Sequence, residues 1–77
     1  MKLTVHIAET IRSIVKDIPK SLVIEKQQPI TIRQLTANIG IPPVLVVFTS
    51  IDGVKKDLDA VVSADAQIHL FGTMAGG

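Results

Sequence analysis

Only one stretch of this 77-residue chain carries signals for both ends of a helix, and it is short. Thr31 followed three residues later by Gln34 has the spacing of a capping box, in which two orphan N–H groups are satisfied reciprocally. Ile32, Leu35 and Ile39 then recur at i, i+3 and i+7. Gly40 stands where a C′ glycine belongs, and Pro42-Pro43 cannot continue a helix. The pattern predicts one amphipathic helix over about residues 32–39. A helix of that length does not persist alone in water, so its apolar stripe must pack on a sheet.

Most of the remaining chain alternates with period two, which marks strands with one buried face. Leu3, Val5 and Ile7 alternate with Lys2, Thr4 and His6. Leu22 and Ile24 give a second strand over about Lys20 to Lys26, with Val23 and Glu25 on its other face. Between them, Ile11, Ile14 and Val15 fall at helical spacing, so residues 9–16 form a short helical turn or a loop that buries three apolar groups. The β-branched run from Val44 to Ile51 predicts a buried strand. Asp52-Gly53 is a hairpin signal, because a type I′ turn needs positive φ at both central residues. Val54-Lys55-Lys56-Asp57 reads as a charged return strand suited to a sheet edge. Residues 61–65 read as a turn, and Gln67 to Phe71 as the last strand. The order strand, strand, helix, strand, short strand, strand contains no repeated βαβ unit. It predicts an α+β fold: a mixed sheet of about five strands with one main helix on one face.

Composition narrows function more than fold. The length fits a single domain, residues 1–77, with a thin core and a stability of about 3–5 kcal/mol. No cysteine is present, so no disulfide, thiolate metal site or thiol nucleophile is possible. Eight Lys plus Arg against seven Asp plus Glu argues against a protein that grips phosphate backbones, and two phenylalanines provide no base-stacking platform. The start of the chain has no uninterrupted apolar run of the signal-peptide kind. The longest apolar stretch, residues 41–48, is far short of the ~20 residues of a membrane span. The expectation is a soluble cytoplasmic protein that binds neither nucleic acid nor membrane.

The order of elements, together with Ile68-His69-Leu70-Phe71-Gly72-Thr73-Met74-Ala75-Gly76-Gly77, resembles the MoaD/ThiS family of ubiquitin-like β-grasp sulfur carriers. The shared features are a last strand closing on a phenylalanine, a short linker, a small apolar residue, Ala and Gly-Gly. The Asp52-Gly53 turn falls where the family has an Asn-Gly hairpin. Two departures are visible: Gly72-Thr73 replaces the Pro-Pro usual in MoaD members, and Ser63-Ala64-Asp65 replaces an Asp-Gly-Asp turn.

The resemblance implies that the chain is not an enzyme by itself and binds no cofactor. A ubiquitin-activating-type enzyme, using ATP, would adenylate the carboxylate of Gly77, with Gly76 beside it. Sulfur from a donor would then give a thiocarboxylate. The molybdopterin synthase large subunit would be the partner in a MoaD-like role, and thiazole synthase in a ThiS-like one. Two other readings are a ubiquitin-like modifier conjugated through Gly77 and a β-grasp interaction module without such chemistry. A terminal carboxylate is ionised at neutral pH and a poor electrophile, which is why activation must come first. Glycines lack Cβ and can thread a narrow channel.

Phe71 alternates onto the face away from the helix, where it fills a gap at the sheet's end or anchors a partner. Phe71, Met74 and Ala75 are the partner-binding candidates, and residues 72–77 are expected to form a flexible tail. His6 and His69 fall on neighbouring strands of the same open face and read as solvated strand histidines; no third metal ligand is evident. Lys55 and Lys56 read as edge protection. No phosphate loop, carboxylate pair or Ser/His/Asp set occurs.

Overall fold

Residues 1–73 are described by a computed structural model. Strand β1 (Lys2–Ile7) begins the chain and a single turn of helix, α1 (Glu9–Arg12), follows it. Strand β2 (Ser21–Glu25) returns antiparallel to β1, with Leu3 opposite Ile24 and Val5 opposite Leu22. A two-residue strand, β3 (Ile30–Thr31), leads into the main helix α2 (Ile32–Asn38). A 3-10 turn (Pro43–Leu45) precedes β4 (Phe48–Ile51) and β5 (Val54–Lys56). The short β6 (Val61–Val62) and the long β7 (Ala66–Phe71) complete the order. The main sheet runs β2-β1-β7-β4-β5, with β1 and β7 parallel and its other pairs antiparallel. This is the mixed five-strand sheet with one main helix that the alternation predicts.

The helix forms as its sequence dictates. Gln34 N–H donates to Thr31 Oγ1 at 3.1 Å, and Thr31 N–H donates to Gln34 Oε1 at 3.0 Å, so both halves of the capping box are made. The two preceding orphan donors find the loop before β6: Ile32 N–H donates to Ala60 O at 3.1 Å and Arg33 N–H to Leu58 O at 2.8 Å. Gly40 takes φ +85° after the last turn. Ile32 and Leu35 are buried against Leu3, Val5, Ile68 and Leu70 of the two central strands, which form the core with Ile11 and Ile41. Thr36 is also buried; its hydroxyl donates to Arg33 O at 2.9 Å, so it enters the core without an unpaired polar group.

Three expectations need correction. The run from Val44 to Ile51 is not one buried strand: Pro43 opens a 3-10 turn, Val44 is 86% exposed and Val47 64% exposed, and only Phe48–Ile51 are strand. The missing N–H of Pro43 suits the first position of such a turn, and the turn removes the alternation. Residues 61–65 are not merely a turn, because Val61–Val62 pair antiparallel with Ile30–Thr31 and bury Val62. Ile14 is not buried, because α1 stops at Arg12. Among the described residues no helix is long and apolar enough to cross a membrane.

Candidate partner-docking face and chain exit

The pleat of the sheet separates two faces. Val5, Ile7, Ile68, Leu70 and Thr49 point to the helix side and are buried. Their neighbours His6, His69, Phe71 and Phe48 therefore point to the open side. On that side the register brings rings together. His6 is the parallel partner of His69, with ring centroids 4.4 Å apart and planes 13° from parallel. His69 is followed along β7 by Phe71, 6.3 Å between centroids. Phe71 is the antiparallel partner of Phe48, 5.1 Å away with planes at 62°, an edge-to-face contact favoured by the ring quadrupoles. Lys55 Nζ closes the row, 5.2 Å from the centroid of Phe48.

The row is anchored at its histidine end. His6 Nε2–H donates to Gln67 Oε1 at 2.8 Å. Gln67 N–H donates to Asp52 Oδ1 at 2.8 Å, and Asp52 N–H to Gln67 O at 2.8 Å. The Asp52-Gly53 turn thus ties the β4–β5 hairpin to β7; both residues have positive φ, 51° and 84°, as a type I′ turn requires. The two imidazole planes are nearly parallel, so their in-plane nitrogen lone pairs do not converge on one point. Among the described residues no group of three or more His, Asp or Glu could hold a metal ion.

The phenylalanine end of the row lies where the chain leaves the sheet. Phe48 and Phe71 are each a little over one-third exposed, and Val47 next to Phe48 is more open still. The backbone here is fixed residue by residue. Ala8 N–H donates to Leu70 O at 3.0 Å, Val47 N–H to Phe71 O at 2.9 Å, and Gly72 N–H to Thr10 Oγ1 at 2.9 Å. Gly72 sits so close to its surroundings that a Cβ on it would meet Ile11 Cγ1 at 2.9 Å and Leu45 O at 3.1 Å. Gly72, assigned to the tail from the sequence, is thus held between α1 and the 3-10 turn.

Of the sequence candidates, Phe71 lies on the open face as its alternation requires. Met74, Ala75, Gly76 and Gly77 lie outside the described residues. Sequence reasoning missed Phe48 as the partner of Phe71, although these are the chain's only two residues of the Phe, Tyr and Trp class. It also missed Thr10, for which no local signal exists.

Arg33 and Asp59, which line one surface pocket together with Val47 and Phe48, form an exposed ion pair, Nε to Oδ1 3.0 Å. The hydrogen bond from Arg33, helped by its charge, holds the Asp59 carboxyl below the usual aspartate range and raises Arg33 in turn. This pair joins the first turn of α2 to the loop that caps it.

Five mixed strands in the order β2-β1-β7-β4-β5, crossed by one helix, make this a ubiquitin-like β-grasp fold. Among solved structures the chain is similar to the crystal structure of SAMP1 from Haloferax volcanii, with a TM-score of 0.69, 14% sequence identity and 100% of each chain covered. No family model matches the sequence, and no curated protein matches it.

Proposed function

We propose that this protein is a ubiquitin-like sulfur carrier or modifier whose Gly77 carboxylate is the reacting group. In the carrier reading, the carboxylate oxygen attacks the α-phosphorus of ATP on a ubiquitin-activating-type enzyme, and pyrophosphate leaves. Hydrosulfide then adds to the acyl carbon and AMP departs with the bonding pair, leaving a thiocarboxylate. The acceptor of that sulfur, in the finer form of the proposal, is a molybdopterin precursor held by a synthase large subunit; thiazole synthesis of the ThiS kind is the alternative. The chain supplies no catalytic group of its own, and the ATP belongs to the activating enzyme.

The observation that carries this reading is the exposed Phe48–Phe71 pair at the end of the last strand. A partner that seats this pair has the following residues, including Met74, Ala75, Gly76 and Gly77, within reach of its own active site. Aromatic anchors of this kind commonly carry interface energy. The β-grasp fold and the Gly76-Gly77 sequence support the same reading.

The test is to append one residue after Gly77. The fold is expected to keep its melting temperature, while ATP-dependent pyrophosphate release with the activating enzyme of the same organism is lost. Release at the wild-type rate from the extended chain, shown intact by mass, would contradict the assignment of Gly77. Conjugates of high mass on target lysines would favour the modifier branch, in which an amine displaces AMP.

A further inference from the structure

We infer that Thr10 and Gly72 form a latch that positions the reactive end of the chain. The inference rests on the assignment of Gly77 as the reacting residue and goes beyond it by naming what aims that residue. Three contacts define the latch. The Gly72 N–H donates to Thr10 Oγ1 at 2.9 Å; a Cβ at Gly72 would meet the Ile11 side chain at 2.9 Å; and it would meet the Leu45 carbonyl oxygen at 3.1 Å. The first contact needs a hydroxyl at residue 10, and the other two need glycine at residue 72. The glycine requirement is set in part by Ile11 of the core, but the hydroxyl requirement is not: Thr10 is only half-buried, and its partner lies 62 residues away in sequence.

The latch sets geometry. The ladder bond from Val47 N–H to Phe71 O ends the sheet at Phe71, and the latch carries the fixed backbone one residue further. Five residues remain, Thr73 to Gly77. Fully extended they span at most about 17 Å. The carboxylate therefore acts within about 17 Å of Gly72, and Gly72 has a fixed place beside the Phe48–Phe71 pair. A partner that seats the pair receives a tail whose origin is already set. Without the latch, the backbone of Gly72 must be ordered at the moment of binding. That cost falls equally on the bound ground state and the transition state, so it appears in KM and not in kcat.

Thr10 is accordingly a positioning residue, and Thr10→Val, Thr10→Ser and Gly72→Ala test it in the full chain. Valine keeps the shape and removes the acceptor, serine restores the acceptor, and alanine breaks the latch from the other side. The first readout is backbone ¹⁵N relaxation of Gly72. The wild type and Thr10→Ser are expected near an order parameter of about 0.85, and Thr10→Val and Gly72→Ala below about 0.6. The second is ATP–pyrophosphate exchange with the activating enzyme of the same organism. Thr10→Val and Gly72→Ala are expected to raise KM for the carrier about tenfold, with kcat changed less than about twofold and serine restoring KM. A Gly72 amide as ordered in Thr10→Val as in the wild type overturns the latch. A loosened Gly72 with unchanged KM overturns its positioning role. A wild-type chain that supports no exchange removes the Gly77 assignment and the positioning role with it, while the relaxation data still decide whether the latch holds.

Discussion

Phe48 and Phe71 are register partners across the β4–β7 ladder, and their rings meet edge to face on the side of the sheet that the helix leaves open. The residue before Phe71 points the other way: Leu70 is completely buried in the core on the helix side of the sheet. Two adjacent positions on one strand thus serve different ends. Leu70→Asp places an unpaired charge in the core, a cost of several kcal/mol against the ~3–5 kcal/mol a domain of this size holds. It is expected to unfold the protein. Phe71→Asp loses only the ring pair, about 0.5–1.5 kcal/mol plus some partly buried area, and is expected to stay folded while losing partner binding. Thermal unfolding of both variants checks the assignment of faces; a larger loss from Phe71→Asp would reverse it.

The start of α2 carries a second prediction. Thr31→Ala removes the acceptor for Gln34 N–H and leaves the Gln34 side chain to hold its half of the box alone. The expected loss is about 1 kcal/mol, with Thr31→Ser close to wild type. Urea unfolding with an unchanged slope would locate the effect in stability; no difference between alanine and serine would mean that the cap does not hold the helix.

The hairpin turn makes a third. Gly53 has φ +84° and open space around it, so Gly53→Ala meets no neighbour and pays only the backbone cost of the left-handed region. A loss of about 1–2 kcal/mol is expected, offset in part by a less flexible unfolded chain. A variant more stable than wild type would show that the turn does not have the I′ geometry.

The Arg33–Asp59 pair gives a pH signature. Hydrogen bonding to Arg33 lowers the folded-state pKa of Asp59, so the unfolded state binds more protons as the solution is acidified. The stabilisation from this pair is present above the ordinary aspartate pKa and is lost as pH falls through the lowered value. The pair is exposed, so the effect on stability is small and screened by salt. The side-chain carboxyl resonance of Asp59, followed by NMR, is expected to titrate below the ordinary range and to move back to it in Arg33→Gln. An ordinary midpoint in the wild type would show that the ion pair is not populated in solution.

How much of this was legible in the sequence depends on how local each signal is. The faces of β1 and β7 follow from strict alternation at Leu3, Val5, Ile7, Ile68 and Leu70, and α2 from a cap whose two residues are three apart. The Asp52-Gly53 turn is equally local. The run after Pro42-Pro43 misleads because β-branched residues read as strand whether or not they are buried, and only Val46 among residues 44–47 is buried. The β3–β6 ladder pairs two residues with two across about thirty positions, with no pattern of its own in either stretch. Phe48 and Thr10 gain their roles from neighbours distant in sequence, Phe71 and Gly72, which only the folded register supplies.

The central claim is that Gly77 carries a carboxylate destined for sulfur. The most direct measurement is the intact mass of the protein after incubation with the activating enzyme of the same organism, ATP and sulfide. The expected result is replacement of one oxygen by sulfur, located by fragmentation at Gly77 and absent when ATP is withheld. An unchanged mass, under conditions where that enzyme converts its known carrier, would contradict the sulfur-carrier reading.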